Sequence, residues 1–199
     1  MENRPYHHGD LRAALLARAE QTLRERGAGA LSLRELARET GVSPGAPSRH
    51  FASKQALFDA LALTGFERLG RATTEALAGA GETFADRLTA AARAYTAFAA
   101  ADGALLDLMY SSKHSPEASQ ALAEAAHRWV TQLEGLIEEG QKRGEVRQGP
   151  VARVALPAFT SLHGYTVMAA GGLLPPELTT DGLDDVIAGI LRACAPEDA

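Results

Sequence analysis

The sequence predicts an all-α protein, and three features of the chain lead to this fold class. Apolar residues recur at the three- and four-residue spacing of a helix along most of the 199 residues. Clusters of glycine, proline and aspartate interrupt these amphipathic segments. No segment shows the alternation of apolar and polar residues that is typical of a strand. We therefore expect helices throughout the chain, with short breaks between them.

The first predicted helix begins after Asp10, a suitable N-cap residue, and runs from Leu11 to Arg26. The glycines at positions 27 and 29 end it, because glycine favours the conformations found at a helix terminus. Four apolar residues at helical spacing form its inward-facing stripe: Leu15, Leu16, Ala19 and Leu23.

Two further helices follow with only a short break between them. Ser32 and Glu35 have the spacing of a capping box, in which each side chain accepts a hydrogen bond from a free backbone N–H. Gly41 ends this helix, since glycine readily adopts the left-handed conformation. Ser43 is then the N-cap of a short helix that runs to about His50. This spacing is that of a DNA-reading helix-turn-helix.

A long helix from Ser53 to about Leu77 connects the helix pair to the rest of the chain. Glycines at positions 79 and 81 interrupt it. Five later helices are predicted between Gly, Pro and Asp clusters: Thr83 to Ala100, Gly103 to Ser111, Pro116 to Lys142, Pro150 to Ala170 and Asp181 to Cys194.

The helix pair resembles that of the TetR (tetracycline-repressor-like) transcriptional regulators of bacteria. The residues that match the family pattern are Gly41, Val42, Ser43, Gly45, His50, Phe51, Ser53, Lys54 and Leu57. The resemblance implies a three-helix DNA-binding domain at residues 1–55 and a helical ligand-binding and dimerisation domain at residues 56–199. It also implies a homodimeric repressor that binds a palindromic operator in double-stranded DNA and is released by a small-molecule inducer.

Two other segments are similar to one subclass of this family. The stretch from Tyr6 to Leu11, YHHGDL, looks like the usual opening of that subclass. Leu162, His163 and Gly164 look like its Trp-His-Gly signature, with leucine in place of tryptophan. The resemblance therefore implies a C-terminal domain of the Trp-His-Gly (WHG) type, but it implies no particular ligand.

Together with the resemblance, the helix pair indicates nine residues that contact DNA: Ser32, Arg34, Ser43, Gly45, Ala46, Ser48, Arg49, His50 and Lys54. Arg34 is the first candidate for a base contact, because a guanidinium bridges O6 and N7 of guanine with two hydrogen bonds. Its alternative role is a solvated charge. The family resemblance implies phosphate contacts by Ser32, His50 and Lys54.

The segment that would read DNA departs from the family pattern at two positions. Ser48 stands where the family most often has tyrosine, and Pro47 stands where it often has leucine. We expect a short helix to survive Pro47, which removes only one early helical N–H. Specificity should then depend on Arg34, Ser48, Arg49 and DNA shape. Flexible arm contacts by Arg4, His7 and His8 are a further expectation, with a disordered terminus as the alternative.

The two ends of the chain differ in charge. Residues 1–71 carry 11 Lys and Arg against 8 Asp and Glu, whereas residues 72–199 carry 9 against 17. The basic part coincides with the helix pair and attracts phosphates, while a duplex repels the acidic part. The net charge of −5 argues against a chain that is one large nucleic-acid-binding surface.

The second predicted domain contains polar-tipped or soft side chains where a packed bundle usually has aliphatic residues. This pattern predicts a cavity for a small-molecule effector of unknown identity, although most such stripes form core. The candidate lining residues are Tyr95, Phe98, Met109, Tyr110, Trp129, Phe159, His163 and Met168.

The last predicted helix carries a wide apolar band. Its members are Leu183, Val186, Ile187, Ile190, Leu191 and Cys194. Such a band needs a partner, either the chain's own core or a second copy. The resemblance implies the second, with this helix and Pro150 to Ala170 forming a four-helix interface. Cys194, the single cysteine, excludes an internal disulfide and is expected in the core.

Other functions find little support in the sequence. The six histidines never have a metal-binding helical spacing, and there is no phosphate-binding glycine loop or nucleophile elbow. We expect no catalytic site, metal or cofactor, and an enzyme remains an unfavoured hypothesis. A ligand-binding dimer that has lost operator binding is an alternative function. No apolar run reaches the ~18 residues that span a bilayer, so a cytoplasmic protein without a membrane partner is expected.

Overall fold

The structure is a computed structural model that describes residues 8–196, without the side chains of residues 8–10 and Thr180. Within this range it contains α-helices and no strand, so the predicted all-α fold class is confirmed. The helices are α1 (His8–Arg26), α2 (Leu33–Glu39), α3 (Lys54–Ala78), α4 (Phe84–Lys113), α5 (Gln120–Lys142), α6 (Val151–Ala170), α7 (Pro176–Thr180) and α8 (Gly182–Cys194).

The chain forms two compact units. The first unit consists of residues up to Phe66 together with Ala104–Glu124. The second consists of Glu67–Gly103 and the residues from Ala125 onward. Compact units describe packing rather than function, so the division into functional domains at residues 1–55 and 56–199 stays a prediction.

The core of the first unit is built from α1, α2, the start of α3 and residues 104–124. Three of the four residues predicted to face inward on α1 are buried, and Leu16 is half-buried. The largest fully buried side chains of this unit are Leu15, Leu23, Leu31, Leu36, Leu57, Leu61, Phe66, Leu105, Leu106, Met109 and Leu122. The helices around the break between α2 and α3 therefore stand on a continuous apolar core.

The capping box predicted at the start of α2 does not form. Ser32 is the N-cap residue in extended conformation, and its carbonyl accepts the N–H of Leu36 at 2.9 Å. Its side chain makes no capping hydrogen bond. Glu35 accepts hydrogen bonds from the guanidinium of Arg38 on both carboxylate oxygens instead of turning back to Ser32. The prediction was wrong because a charged donor one turn away competes for the carboxylate.

The predicted end of α2 at Gly41 is confirmed. Gly41 has a φ of +70°, which places it in the left-handed region. The N–H of Val42 donates to the carbonyl of Ala37 at 3.0 Å, and the N–H of Gly41 donates to Arg38 at 3.3 Å. These two bonds form a Schellman motif, which satisfies carbonyls at the end of the helix and turns the chain sharply.

We expect Gly41→Ala to destabilise the protein by about 1–2 kcal/mol, the penalty of the left-handed conformation for a residue with a Cβ. The space around a Cβ at position 41 is open, so the penalty comes from the backbone alone. The control is Gly45→Ala, which also meets open space but has no positive φ. Urea unfolding followed by circular dichroism measures both. Equal stability of the two variants would contradict this assignment.

The helix predicted from Ser43 to about His50 is wrong in type. The chain forms a turn and then a 3₁₀ helix at Pro47–Arg49. Three backbone hydrogen bonds connect residues three positions apart. The N–H of Ala46 donates to the carbonyl of Ser43 at 2.9 Å, that of Arg49 to Ala46 at 3.2 Å and that of His50 to Pro47 at 2.9 Å. Because Pro47 has no N–H, it cannot donate to Ser43, and the first bond of an α-helix is missing.

The predicted start of α3 at Ser53 is confirmed. The side-chain oxygen of Ser53 accepts the backbone N–H of Ala56 at 3.1 Å. The break predicted between Ala100 and Gly103 is present only as a kink within α4, where Asp102 has a non-helical φ of −144° and ψ of 54°. The chain passes from one compact unit to the other directly after Gly103.

In the second unit, α4, α5, α6 and α8 share one apolar core. Its buried members are Phe84, Leu88, Ala91, Leu136, Ile137, Val146, Val154, Ile190 and Cys194. Cys194 is 1% exposed, as expected for a core residue. Part of the apolar band of α8 is thus covered by the chain's own α6 and its neighbours.

Candidate functional site

The helix pair presents most of its nine candidate DNA-binding residues to solvent. The seven exposed residues are Ser32, Arg34, Ser43, Gly45, Ser48, Arg49 and Lys54, whereas Ala46 and His50 are half-buried. Pro47 between them is buried and anchors the 3₁₀ helix to the core. The arrangement offers hydroxyl, guanidinium and ammonium donors on one short stretch of chain, and such donors suit a phosphate backbone.

Arg34 and Arg38 line the same shallow groove, but only Arg38 is paired with a carboxylate of the described residues. Arg38 is held by Glu35, and this hydrogen bond lowers the pKa of Glu35 and raises that of Arg38. Arg34 has no carboxylate partner among the described residues and is exposed. The groove is lined by Ser32, Arg34, Glu35, Ala37, Arg38, Val42 and Pro44. Arg34 is therefore the guanidinium of this groove that is available to a ligand.

Sequence reasoning missed the place of Arg38 in this groove. Its position four residues after Arg34 puts both side chains on the same helix face, which is the signal that identifies it. Because Glu35 neutralises Arg38, the pair adds side-chain bulk to the wall of the groove but no net charge.

Lys54 is exposed at the first turn of α3. Its ammonium lies 3.5 Å from the carbonyl oxygen of Gly29 and 5.2 Å from the centre of the Phe58 ring. These weak contacts orient the charge without neutralising it. A cation beside the N-terminus of a helix is well suited to bind a phosphate, since the free N–H groups there add to the attraction.

A partly exposed ion-pair network joins α2 to α1 on the side away from the groove. Glu39 accepts hydrogen bonds from Arg18 at 2.6 Å and from Arg26 at 2.8 Å. The side chain of Glu39 is only 11% exposed. The hydrogen bond from Arg18, followed by that from Arg26, lowers the pKa of Glu39 to about 2. The network ties the last turn of α2 to α1 and so holds the groove in place.

We expect Glu39→Gln to lower the melting temperature at pH 7. Because the native pKa of Glu39 lies below its ordinary value of 4.5, its contribution is complete above that value and is lost as the pH falls toward 2. The difference from the wild type should therefore shrink below pH 4.5. Thermal melts between pH 7 and pH 3 measure it, with the exposed Glu138→Gln as control. A difference independent of pH would refute the role of the ion pair.

The expected arm contacts of Arg4, His7 and His8 lie outside the residues or side chains that the structure describes. Of the other histidines, His114 and His127 are exposed. Among the described residues, no three His, Cys, Asp or Glu side chains lie close enough to hold a metal ion.

The second unit contains a partly open cavity of about 70 Å³. It is lined by Thr73, Phe84, Leu88, Ala91, Ala92, Tyr95, Trp129, Leu133, Leu136, Ile137, Ala155, Ala158, Phe159, Leu162 and Ile190. Three candidate ligand-binding residues, Tyr95, Trp129 and Phe159, are in this wall. The aliphatic members were not singled out from the sequence, because a leucine in a cavity wall has the same helical spacing as one in a packed core.

Aromatic side chains form one end of the cavity. The rings of Tyr95 and Trp129 stack with centroids 5.5 Å apart, and Phe159 meets Trp129 edge-on at 6.1 Å. The hydroxyl of Tyr95 and Nδ1 of His163 share a hydrogen bond of 2.6 Å. His163 also stacks on Phe159 at 5.6 Å. His163 thus lies behind the wall and positions two of its aromatic rings.

The other four candidates lie elsewhere. Phe98 is half-buried and Met168 is 42% exposed, and neither lines the cavity. Met109 and Tyr110 belong to the first unit. There Met109 is fully buried beside Gly65, and Tyr110 packs edge-on against Phe66 with centroids 6.3 Å apart.

The second unit also exposes large apolar side chains near its C-terminal helices. Leu156, Val167 and Met168 on α6 are 59%, 37% and 42% exposed. Leu173 and Leu178, which come after α6 in the chain, are 71% and 47% exposed. On α8, Leu183, Val186 and Leu191 are half-buried, while Ile187, Ile190 and Cys194 are buried within the unit. Of the six residues of the apolar band predicted on α8, three are thus buried within the unit and three remain partly exposed, of which Val186 and Leu191 also pack against the core.

Comparison with protein families identifies the chain. The family model of bacterial regulatory proteins of the tetR family matches residues 15–61, which contain the helix pair. The model of the tetracyclin repressor-like C-terminal domain matches residues 88–193, more than half of the chain. The chain belongs to the TetR family. It is a DNA-binding transcription regulator and not an enzyme, as the sequence predicts.

Solved structures share the fold of this TetR-family regulator. A protein of unknown function from Rhodococcus sp. RHA1 is 44% identical, with 97% of this chain and 100% of that chain covered and a TM-score of 0.89. A putative tetR family transcription regulator from Shewanella sp. PV-4 is 23% identical, with 93% of this chain and 98% of that chain covered and a TM-score of 0.70.

A bacterial regulatory protein in the tetR family from Rhodococcus RHA1 is 24% identical to this regulator, covering 94% and 98% of the two chains, with a TM-score of 0.71. Among curated proteins, no sequence match was found. No helix in the described part of the chain has the length and apolar character that a bilayer crossing requires.

Proposed function

We propose that this TetR-family regulator is a homodimeric repressor that binds a palindromic operator and is released by a small molecule. The observation that carries the proposal is the exposed, unpaired guanidinium of Arg34 beside the exposed donors of the 3₁₀ helix. A single unit of this kind makes few DNA contacts. Two copies related by a twofold axis would reach successive major grooves ~34–36 Å apart, and a palindromic site would match that symmetry.

Base reading in this proposal depends on α2 more than is usual for a helix-turn-helix. The 3₁₀ helix carries Ser48 and Arg49 outward, but Gly45 and Ala46 offer no side-chain hydrogen bonds. Arg34 supplies the bidentate donor that distinguishes guanine. Ser32, His50 and Lys54 would bind phosphates and set the register on the duplex.

Dimerisation in this proposal uses the exposed apolar residues of α6 and the segment after it. Five large apolar side chains on or near α6 are at least 37% exposed. A cluster of this size on a protein surface is typical of an interaction site. The half-buried residues of α8 add to the same interface, in line with the four-helix arrangement that the resemblance implies.

Release of the operator would come from ligand binding to the cavity of the second unit. A ligand changes operator affinity only by as much as it prefers one conformation of the dimer over the other, typically ~1–3 kcal/mol. Tyr95, Trp129 and Phe159 are the residues that we expect to contact it. The long α3, which runs from the helix pair into the second unit, is the expected carrier of the motion.

A second candidate function is a ligand-binding dimer that no longer binds an operator. The 3₁₀ helix in place of an α-helix, with serine at position 48, favours it. Gel-shift assays with DNA from upstream of its own gene at low ionic strength distinguish the two. Binding to a specific fragment supports the repressor. Equal affinity for all fragments, or none, supports the second candidate.

We expect Lys54→Ala to weaken binding to every DNA sequence and to reduce the slope of log affinity against log salt by about 1 per subunit. The loss of one phosphate contact is the physical reason. Gel shifts over a range of salt concentrations measure the slope, and the control is Lys142→Ala, an exposed lysine at the end of α5. The same slope for both variants would remove Lys54 from the interface.

A further inference from the structure

The wall of the cavity in the second unit is almost entirely apolar. The polar side-chain groups among its fifteen residues are the hydroxyls of Thr73 and Tyr95 and the indole N–H of Trp129, and none of these described side chains is charged. Both hydroxyls already hold hydrogen bonds, Thr73 with the carbonyl of Leu69 at 2.9 Å and Tyr95 with His163 at 2.6 Å. A ligand in this cavity therefore finds dispersion contacts and stacking surfaces rather than partners for charge.

The absence of a countercharge selects against ionised ligands. An unpaired carboxylate or ammonium loses its hydration on entering such a site and gains nothing comparable in return. Aromatic rings, in contrast, have a matching surface. Tyr95 and Trp129 stack nearly parallel, with 22° between their planes, and Phe159 closes the same end edge-on. Because the facing sides of Tyr95 and Trp129 already cover each other, a flat apolar ring would pack on the part of these rings that lines the cavity.

The size of the cavity limits the ligand further. At about 70 Å³ it has roughly half the volume of an apolar cavity of ~150 Å³ that is known to hold benzene. One aromatic ring fits only after the walls move apart, and fused ring systems need a larger change. Leu133, Phe159 and Leu162 are half-buried wall residues and are the ones with room to move. Ligand binding thus selects an expanded form of this unit.

We propose that the effector is an uncharged aromatic compound of about the size of toluene, packed against Tyr95, Trp129 and Phe159 in an expanded form of the cavity. This inference rests on the proposed ligand-responsive function and names the chemical class of the ligand. It also explains how a ligand biases the conformation: a cavity of about 70 Å³ is too small to hold it, so occupancy stabilises the expanded form alone.

The test is a titration of the full-length protein with three probes of similar size: toluene, benzoate and benzylamine. Trp129 is the only tryptophan, so its fluorescence reports directly on the cavity. Toluene should give a saturable change, whereas benzoate and benzylamine should bind at least about 100-fold more weakly because their charge would be buried unpaired. Comparable affinity for a charged probe, or no toluene binding up to its solubility, overturns the proposal.

A matched pair of variants on α4 locates the binding. Ala91 lines the cavity and is 5% exposed, whereas Ala97 on the same helix is exposed. Leucine has nearly the helix propensity of alanine, so both variants should keep the helix. Ala91→Leu places the larger side chain in the cavity, whereas Ala97→Leu places it in solvent. The toluene response should disappear only in the first. If Ala91→Leu does not fold by circular dichroism, Ala158→Val serves in its place. An unchanged response in the folded cavity variant overturns the proposal.

Gel shifts separate this inference from the proposed function. Specific operator binding by the ligand-free protein, together with no toluene binding, overturns the ligand class and leaves the repressor. Toluene binding that is lost in Ala91→Leu, without any operator binding, supports the ligand class and contradicts the repressor. Operator binding that toluene weakens in the wild type but not in Ala91→Leu supports both.

Discussion

Arg34→Ala should cost about 1–3 kcal/mol of operator affinity in each half-site, the discrimination that one bidentate arginine–guanine contact supplies. Binding to unrelated DNA should change much less, because phosphates supply most of that affinity. The loss is thus one of specificity. Competition gel shifts with operator and non-specific duplexes measure the ratio directly. Substitution of single base pairs in the operator should identify a G·C pair to which the variant has become indifferent.

The control for this experiment is Arg128→Ala, which removes an exposed arginine from α5 in the second unit. It changes the net charge by the same amount and should leave the specificity ratio as it is. Arg38→Ala is a useful third variant, since its guanidinium lines the same groove but is bound by Glu35. If Arg34→Ala behaves like Arg128→Ala, Arg34 is a solvated charge and base reading lies elsewhere.

Leu156→Glu should convert the proposed dimer into monomers and strongly weaken operator binding. Leu156 is 59% exposed on α6, the helix proposed for dimerisation, and a glutamate there would be buried against apolar residues of the second chain. Without the link between two reading units, we expect operator affinity to fall by roughly 10²–10⁴-fold, the range gained by joining two binding modules.

Analytical ultracentrifugation and gel shifts measure the two consequences together. The matched control is Val130→Glu, which places the same charge at an apolar residue of α5 that is 37% exposed. It should remain a dimer and bind the operator. A dimeric Leu156→Glu protein would move the interface away from α6. A monomeric wild type would contradict dimerisation altogether.

Local chemistry made much of the fold predictable from the sequence. Gly41 and Ser53 end and start their helices as expected, because a left-handed glycine and a hydroxyl N-cap act on the nearest few residues. The exposure of Arg34 opposite the buried Leu36 and Ala37 follows from helical periodicity alone. These features need no knowledge of the distant chain.

The errors arise where neighbouring interactions compete. Glu35 has the right spacing for a capping box, but Arg38 lies one turn later and takes its carboxylate. Pro47 is compatible with the first turn of a helix, but in a segment this short the missing N–H decides between an α-helix and a 3₁₀ helix. Patterns of single residues cannot rank such alternatives.

The residues around the cavity were the least predictable. Tyr95 and Met109 have similar patterns of apolar neighbours in the sequence, and each lies on the apolar face of α4. The kink at Asp102 lies between them, and they are packed in different units. Which aromatic residues meet depends on how α4, α5 and α6 pack, and this information is spread over the whole second unit.

Pro47 has a consequence for how regulators of this kind diverge. In this chain a buried proline anchors the tight 3₁₀ turn, and its neighbours Gly45 and Ala46 offer no side-chain hydrogen-bonding groups. Duplicated genes would therefore acquire new target sites chiefly through changes on the outer face of α2. In such copies the turn would keep its shape, while substitutions on α2 would change which bases the protein reads.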